Sequence, residues 1–344
     1  MIEFMGLYPE ELKDALAAMG EKPFRAAQIF SWLHKGAHFS EMTNLPLALR
    51  QKLAAAGVDQ PVSIRETRIS ALDGTRKFLY ALRDGNCVEG VLMRYRYGAT
   101  LCVSTQVGCR MGCRFCASTL EGCVRNLTAA EMLGQVQCAN AVLKGERVHN
   151  IVLMGSGEPL DNYDQVVRFL RLVSHPEGLN LGIRHISLST CGLVDQLRRF
   201  AGEDLPVTLS LSLHAPNDEI RRRLMPIAHR YSIEETLAAC RYYIEKTGRR
   251  VVFEYALVDG VNADEACAAE LASRLRGMQC HVNLIPLNTV KERSLFGVKE
   301  EQVRAFLAAL EKRHISATRR REMGDDIDGA CGQLRKKVMQ EERA

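Results

Sequence analysis

From residue 99 onward the chain repeats one unit: a short run rich in β-branched and aliphatic residues, then an amphipathic stretch with apolar positions at helical spacing. The strand-like runs fall at 99–105, 150–154, 184–189, 207–213, 251–258 and 280–287, and helical stretches at 128–143, 163–173, 233–246 and 263–275 separate them. Consecutive strands joined through helices run parallel, because each crossover carries the chain back to the end where it started. The pattern therefore predicts an α/β fold with six parallel strands and five or more crossover helices. Right-handed crossovers either curl such strands into an open or partial barrel or lay them in a doubly wound sheet, and periodicity does not choose. In both architectures the loops after the carboxyl ends of the strands carry the site.

Two smaller pieces precede this region. Residues 10–19, 24–34 and 45–55 carry apolar positions at helical spacing and predict a small helical accessory unit. Residues 77–82 and 87–95 alternate with a period of two around the turn Asp84-Gly85-Asn86, as a β-hairpin does. The expected organisation is thus a helical unit at 1–74, a hairpin extension at 75–94, a core at 95–319 and a polar, glycine-bearing tail at 320–344. A chain of 344 residues, 47% hydrophobic and 25% charged, has the composition of a globular protein, which excludes disorder and a collagenous repeat. It holds no apolar run of the ~18 residues that a membrane span needs. The first residues bring acids early and lack the basic-then-apolar profile of a secretory signal, so we expect a cytoplasmic protein whose cysteines are thiols or ligands.

The charge balance, 46 basic against 41 acidic residues, names no partner by itself. Its clustering is more informative: Arg94 and Arg96 interleave with Tyr95 and Tyr97, and further groups stand at Arg221-Arg222-Arg223, Arg249-Arg250 and Arg319-Arg320-Arg321. Such groups are compatible with phosphate contacts, although each taken singly is more commonly a solvated helix end or loop.

Twelve cysteines are many for a reducing compartment, and six of them, Cys87, Cys102, Cys109, Cys113, Cys116 and Cys123, crowd into one short stretch. Cys109, Cys113 and Cys116 have C-x3-C-x2-C spacing directly after the first parallel strand, so one loop offers three thiolates. Structural zinc closes its tetrahedron with four protein ligands, here requiring Cys102 or Cys123 as the fourth. A 4Fe–4S cubane on three thiolates leaves one iron open to another ligand. Other cysteines, such as Cys138, Cys191, Cys240, Cys267 and Cys280, read as small buried hydrophobes.

The triplet, with Phe115 just before its last cysteine, resembles the radical S-adenosylmethionine (SAM) superfamily, and Gly155-Ser156-Gly157-Glu158-Pro159 is similar to the element that meets the amino group of SAM there. Beyond the superfamily, the chain resembles the RlmN and Cfr family, which methylates an adenosine of large-subunit ribosomal RNA. The residues carrying that likeness are 20–26, 100–109, 125–127, 188–190, 212–216 and 324–334, the last including Gly324-Asp325-Asp326-Ile327-Asp328-Gly329-Ala330-Cys331-Gly332.

The resemblance implies a partial (β/α)6 barrel with a 4Fe–4S cluster on Cys109, Cys113 and Cys116. It implies SAM contacts at Gly157, Glu158, Ser189, Ser212, Leu213, His214 and Asn288. It further implies that Cys331 accepts a methyl group from one SAM, and that a second SAM yields the radical that removes hydrogen from this methyl. The methylene radical then adds to the electron-poor C2 of adenine. By the same resemblance Glu89 accepts the C2 proton, and Cys102 resolves the protein–RNA adduct through a transient disulfide with Cys331. The implied substrates are adenine 2503 of 23S ribosomal RNA and adenine 37 of transfer RNA. A flavodoxin or ferredoxin would supply electrons to a monomeric enzyme. A stacked purine C2 is inaccessible, so the base must be extruded, and the helical unit is the expected RNA grip. Two rivals stand beside this reading: Cfr-type methylation at C8 of the same base, and a zinc-stabilised RNA-binding protein without catalysis.

Overall fold

The computed structural model describes residues 1–287 and 295–327. Asn288 and Cys331 therefore lie outside the described residues. The N-terminal unit consists of β1 (Ile2–Glu3), α1 (Pro9–Ala18), α2 (Arg25–His34), α3 (Leu47–Ala56) and β2 (Gly57–Val58), with β1 and β2 paired in parallel. Next come β3 (Val62–Ile69), β4 (Arg76–Leu82), β5 (Cys87–Tyr95) and β6 (Gly98–Cys102), an antiparallel meander. Short strands β7 (Gln106–Gly108) and β8 (Cys123–Asn126) pair across the cysteine loop.

The alternating region follows as α4 (Ala129–Val142), β9 (Val148–Leu153), α5 (Tyr163–Val173), β10 (Ile186–Thr190), α6 (Val194–Phe200) and β11 (Thr208–Ser212). It continues with α7 (Asp218–Leu224), α8 (Ile233–Thr247), β12 (Val251–Leu257), α9 (Glu265–Leu275), β13 (Cys280–Pro286), α10 (Glu300–Glu311) and β14 (Ala317–Arg319). One sheet holds ten strands in the order β14-β13-β12-β11-β10-β9-β6-β5-β4-β3, parallel from β14 to β6. The six expected parallel strands are β6 and β9 to β13, and β14 adds a short seventh.

Chain length decides between a flat and a curled sheet. Eight strand spacings separate β14 from β4, about 38 Å if the sheet were flat. Yet Gly324, five residues after the end of β14, donates its N–H to Asp73 in the β3–β4 turn at 2.9 Å. Five residues reach at most ~18 Å, so the sheet must curl to bring its two edges together. This is the partial barrel rather than the doubly wound sheet.

Local chemistry fixes the element ends. α4 and α8 open with capping boxes, Thr128 with Glu131 and Ser232 with Glu235, in which each hydroxyl accepts from the N–H three residues on. Strand alternation sorts the two faces: Leu101, Leu153, Leu188, Leu209, Phe253 and Leu284 are fully buried in the main core with the helices. Cys102, Ser189, Ser212 and Glu254 stand at the alternate positions and face inward. Each fully buried Leu or Phe contributes ~1.5–3 kcal/mol, so the helix-facing side carries the fold and leaves the inner side to chemistry.

Two expectations need correction. Residues 62–69, placed in the helical unit, form β3. Its outward positions, Ser63, Arg65 and Thr67, are polar and its inward ones include Glu66 and Arg68, so the sequence carries little apolar alternation. Arg221, read with Arg222 and Arg223 as part of one solvent-facing basic group, is fully buried.

Candidate active site

A cavity of ≈520 Å³ opens at the carboxyl ends of the parallel strands, within the usual range for a small-molecule site. Its wall includes Cys102, Cys109, Cys113, Cys116, Gly157, Glu158, Ser189, Ser212 and His214, so most of the expected residues meet at one place. Leu213 is buried in the core behind the wall, and Glu89 lies off it.

The cysteine loop is held by its backbone. Cys109 N–H donates to the Gly122 carbonyl at 2.8 Å, and Gly108, at φ +79°, approaches that carbonyl so closely that a Cβ would lie 2.0 Å from it. The Thr119 hydroxyl donates to the carbonyls of Cys113 (3.1 Å) and Cys116 (2.9 Å), fixing the turn between two of the thiols. Burial pushes the Cys109 thiol up to about 12 and raises Cys113 as well, with Cys113 further raised by Cys116. Thiols that stay neutral in a dry pocket become ligands once a metal's charge reverses the local electrostatics. Among the described residues no three His, Cys, Asp or Glu side chains converge on a single-ion site. Three thiols on the wall of one cavity are the donor set that a 4Fe–4S cubane with one open iron takes, so the residues present fit such a cluster.

The turn after β9 is locked to the segment after β6. Thr105 and Gln106 donate their N–H groups to the Ser156 carbonyl at 2.8 and 3.0 Å, and Ser156 N–H donates to Ser104 Oγ at 2.9 Å. Gly157 sits at φ +114°, where a Cβ would be 2.6 Å from Thr105 Oγ1 and 2.7 Å from Gln106 N, so only glycine fits. Glu158 is 4% exposed. Its Oε2 accepts from Cys191 N–H at 2.7 Å and its Oε1 from Leu160 N–H at 3.0 Å. Burial raises its carboxyl, and these N–H donors with the Thr190 hydroxyl oppose the rise. A carboxylate so oriented suits an ammonium group entering from the cavity.

His214, at φ +54°, follows β11 with its ring against Phe115, centroids 4.5 Å apart. Its Nδ1 accepts from Ala256 N–H at 2.9 Å, which assigns the proton of the neutral ring to Nε2. Burial, with nearby Arg221, lowers its pKa to about 3, so it serves as a neutral hydrogen-bonding group. Arg221 Nη2 donates to the Cys191 carbonyl at 2.7 Å and lies 3.5 Å from that of Ser212, tying together the ends of β10 and β11. Its neighbours Arg222 and Arg223 are exposed.

Sequence reading missed Glu254, a buried carboxylate on the inner face of β12 whose Oε2 accepts from Asn283 Nδ2 at 2.8 Å. The signal was present: an acid between Phe253 and Tyr255, at the inward phase of a strand. Arg320 and Arg321 of the expected basic group reach the cavity wall. Arg94 instead pairs with Glu146 at 3.0 Å on the surface, where Tyr95 and Tyr97 stack with centroids 5.0 Å apart.

Glu89 is no solvated strand carboxylate. It is 4% exposed, and its Oε2 lies 3.1 Å from the fully buried ammonium of Lys77. It shares a strand face with Val91 and Met93, which pack with Cys102 at the cavity wall.

Residues 103–272 match the family model of the radical SAM superfamily, and residues 2–58 match that of the ribosomal RNA large subunit methyltransferase N-terminal domain. The chain is 52% identical over 345 residues to a probable dual-specificity RNA methyltransferase RlmN of Lachnospira eligens, covering 99% of this chain and 98% of the relative. A protein of the same description from Clostridium perfringens is 54% identical over 329 residues, covering 95% and 94%. The crystal structure of a radical SAM methyltransferase from Sphaerobacter thermophilus matches with a TM-score of 0.92 at 45% identity, covering 96% of this chain and 98% of that one.

Proposed function

Since the chain belongs to the RlmN family of radical SAM RNA methyltransferases, we propose that it methylates C2 of adenine 2503 in 23S ribosomal RNA and of adenine 37 in transfer RNA. The observation that carries this reading is the meeting of three cysteine thiols, the Gly157-Glu158 turn and Cys102 at one cavity. Cys109, Cys113 and Cys116 would hold the 4Fe–4S cluster, which supplies the electron that splits SAM homolytically. Glu158 receives the amino group of SAM. Ser189, Ser212 and the neutral His214 offer hydroxyls and an N–H to its remaining polar atoms, and Leu213 and Asn288 belong to the same binding set.

The Cys331 thiolate first attacks the methyl carbon of one SAM; the sulfonium carbon–sulfur bond breaks, S-adenosylhomocysteine leaves, and Cys331 becomes S-methylcysteine. One hydrogen atom passes from that methyl to the deoxyadenosyl radical that a second SAM would yield, giving 5′-deoxyadenosine, and the remaining carbon radical bonds to C2 of the adenine. Glu89 takes the C2 proton while the electron lost by the adduct would return to the oxidised cluster, and the ammonium of the buried Lys77 lies 3.1 Å from the Glu89 carboxylate. The Cys102 thiolate then attacks the Cys331 sulfur: the sulfur–sulfur bond forms, the carbon–sulfur bond breaks, and the released carbon takes a proton to become methyl. A cellular dithiol reduces the disulfide. The helical unit, the Tyr95–Tyr97 stack and the neighbouring arginines supply RNA contacts. A cytoplasmic monomer served by a flavodoxin or ferredoxin completes the proposal.

Anaerobic reconstitution with SAM, a reductant and 23S ribosomal RNA or transfer RNA, followed by nucleoside analysis, tests it. We expect 2-methyladenosine from both RNAs. An 8-methyl product overturns the regiochemistry, and an iron-free protein containing zinc overturns the enzyme.

A further inference from the structure

The segment leading out of β14 does more than end the sheet. Residues 320–323 and 325 form part of the cavity wall, and Met323 packs on the cluster of Val91, Met93 and Cys102. The chain then docks on the β3–β4 turn at the opposite sheet edge through a reciprocal pair of carboxylates. Asp326 Oδ1 accepts from Ser70 Oγ at 2.6 Å and its Oδ2 from Ala71 N–H at 2.8 Å. Asp73 Oδ2 accepts from Gly324 N–H at 2.9 Å while its Oδ1 accepts from Thr75 N–H at 2.9 Å. Each acid thus caps backbone of the other strand of chain. Gly324 makes the crossing at φ +65°, with space for a Cβ only 3.1 Å from Thr75 Cγ2.

We propose that this Asp73–Asp326 latch positions the methyl carrier: it anchors the chain at the cavity rim so that Cys331 stays within reach of both the cavity and Cys102. Cys331 is the fifth residue after Asp326, so the anchor confines the Cys331 Cα to a radius of at most ~18 Å. Without it the nearest packed residue is Met323, eight residues away, and the radius grows to ~29 Å. Confining a thiol to a smaller volume raises its effective concentration at the site. The inference rests on Cys331 being the methyl carrier, and it adds the residues that place it. Asp326 touches neither SAM nor RNA in this account and is a positioning residue.

The test compares Asp326→Ala and Asp326→Asn with the unsubstituted holoenzyme. Asp326 is exposed, so its removal leaves the core intact. Amide hydrogen exchange at Ala71, whose N–H loses its carboxylate acceptor, should quicken by roughly tenfold in Asp326→Ala, the factor expected on losing a charge-assisted hydrogen bond, and less in Asp326→Asn, which keeps one acceptor. SAM binding should be unchanged, while 5′-deoxyadenosine formed per methyl delivered to RNA should rise several-fold, because cleavage no longer finds the methylated thiol in place. A purely structural role would lower SAM binding and thermal stability without changing that ratio. Unchanged exchange at Ala71, or faster exchange with an unchanged ratio, overturns the latch. Absence of any methylated adenine from the unsubstituted enzyme overturns the proposed function, and the exchange result still reports the contact separately.

Discussion

At the scale of single residues, two cysteines divide one chemical task. Cys331→Ala removes the methyl carrier, and RNA methylation should fall below detection while SAM binding persists. Cys102→Ala leaves the carrier but no resolving thiol, so RNA should remain covalently attached; a denaturing gel of the reaction shows a protein–RNA band if this is right. Lys77 makes a different prediction. Removing one member of a buried ion pair is strongly destabilising, so Lys77→Met should cost ~3–5 kcal/mol in a denaturant titration. The double variant Lys77→Met with Glu89→Gln should recover part of that loss, because both charges of the pair are then removed.

At the scale of elements, the glycines of the turn after β9 are constrained by what lies behind them. Gly157→Ala must push on Thr105 Oγ1 and Gln106 N, and should weaken SAM binding at least about tenfold and cost ~1–3 kcal/mol of stability, read by equilibrium dialysis and thermal melting. Gly85 in the β4–β5 turn, also at positive φ but facing open space, is the control: Gly85→Ala carries backbone strain alone and should leave SAM binding unchanged.

Elements with strong apolar periodicity were legible in the sequence. The strand at Cys87–Tyr95 and the helix at Tyr163–Val173 stand where alternation and helical spacing place them. β3 was not legible, because an edge strand with charged residues on its half-covered face has no apolar stripe. α7 misled for a related reason: its run Arg221-Arg222-Arg223 reads as one basic surface, yet helical rotation turns Arg221 inward while its neighbours meet solvent. The cysteine loop and the Gly157-Glu158 turn were legible because both are contiguous in sequence. Glu254, the Lys77 partner of Glu89 and the tail latch were not, since each depends on pairing between distant strands or loops.

At the scale of the whole molecule, buried histidines set the acid limit. Burial lowers His214 to about 3, with Arg221 adding to the effect, and lowers His34 to about 4, with His175 adding to it. An imidazole whose pKa drops on folding takes its proton first in the unfolded chain. Stability is therefore full above pH ~6.5 and falls by about 1.4 kcal/mol per pH unit for each imidazole as pH descends from there towards 4. Melting temperature measured from pH 7 to 4.5 should drop along this course, and His34→Gln should flatten it. A flat profile would mean that these rings are solvated.

Curling of the sheet brings the latch, the cysteine loop and Cys102 around one cavity, and the central claim is that the carbon reaches RNA by way of the protein. SAM bearing a trideuterated methyl group tests this directly. The account predicts 2-methyladenosine carrying two deuterons, one having been lost to 5′-deoxyadenosine and replaced by a solvent proton. Product retaining all three deuterons would mean direct methyl transfer, and would contradict the account.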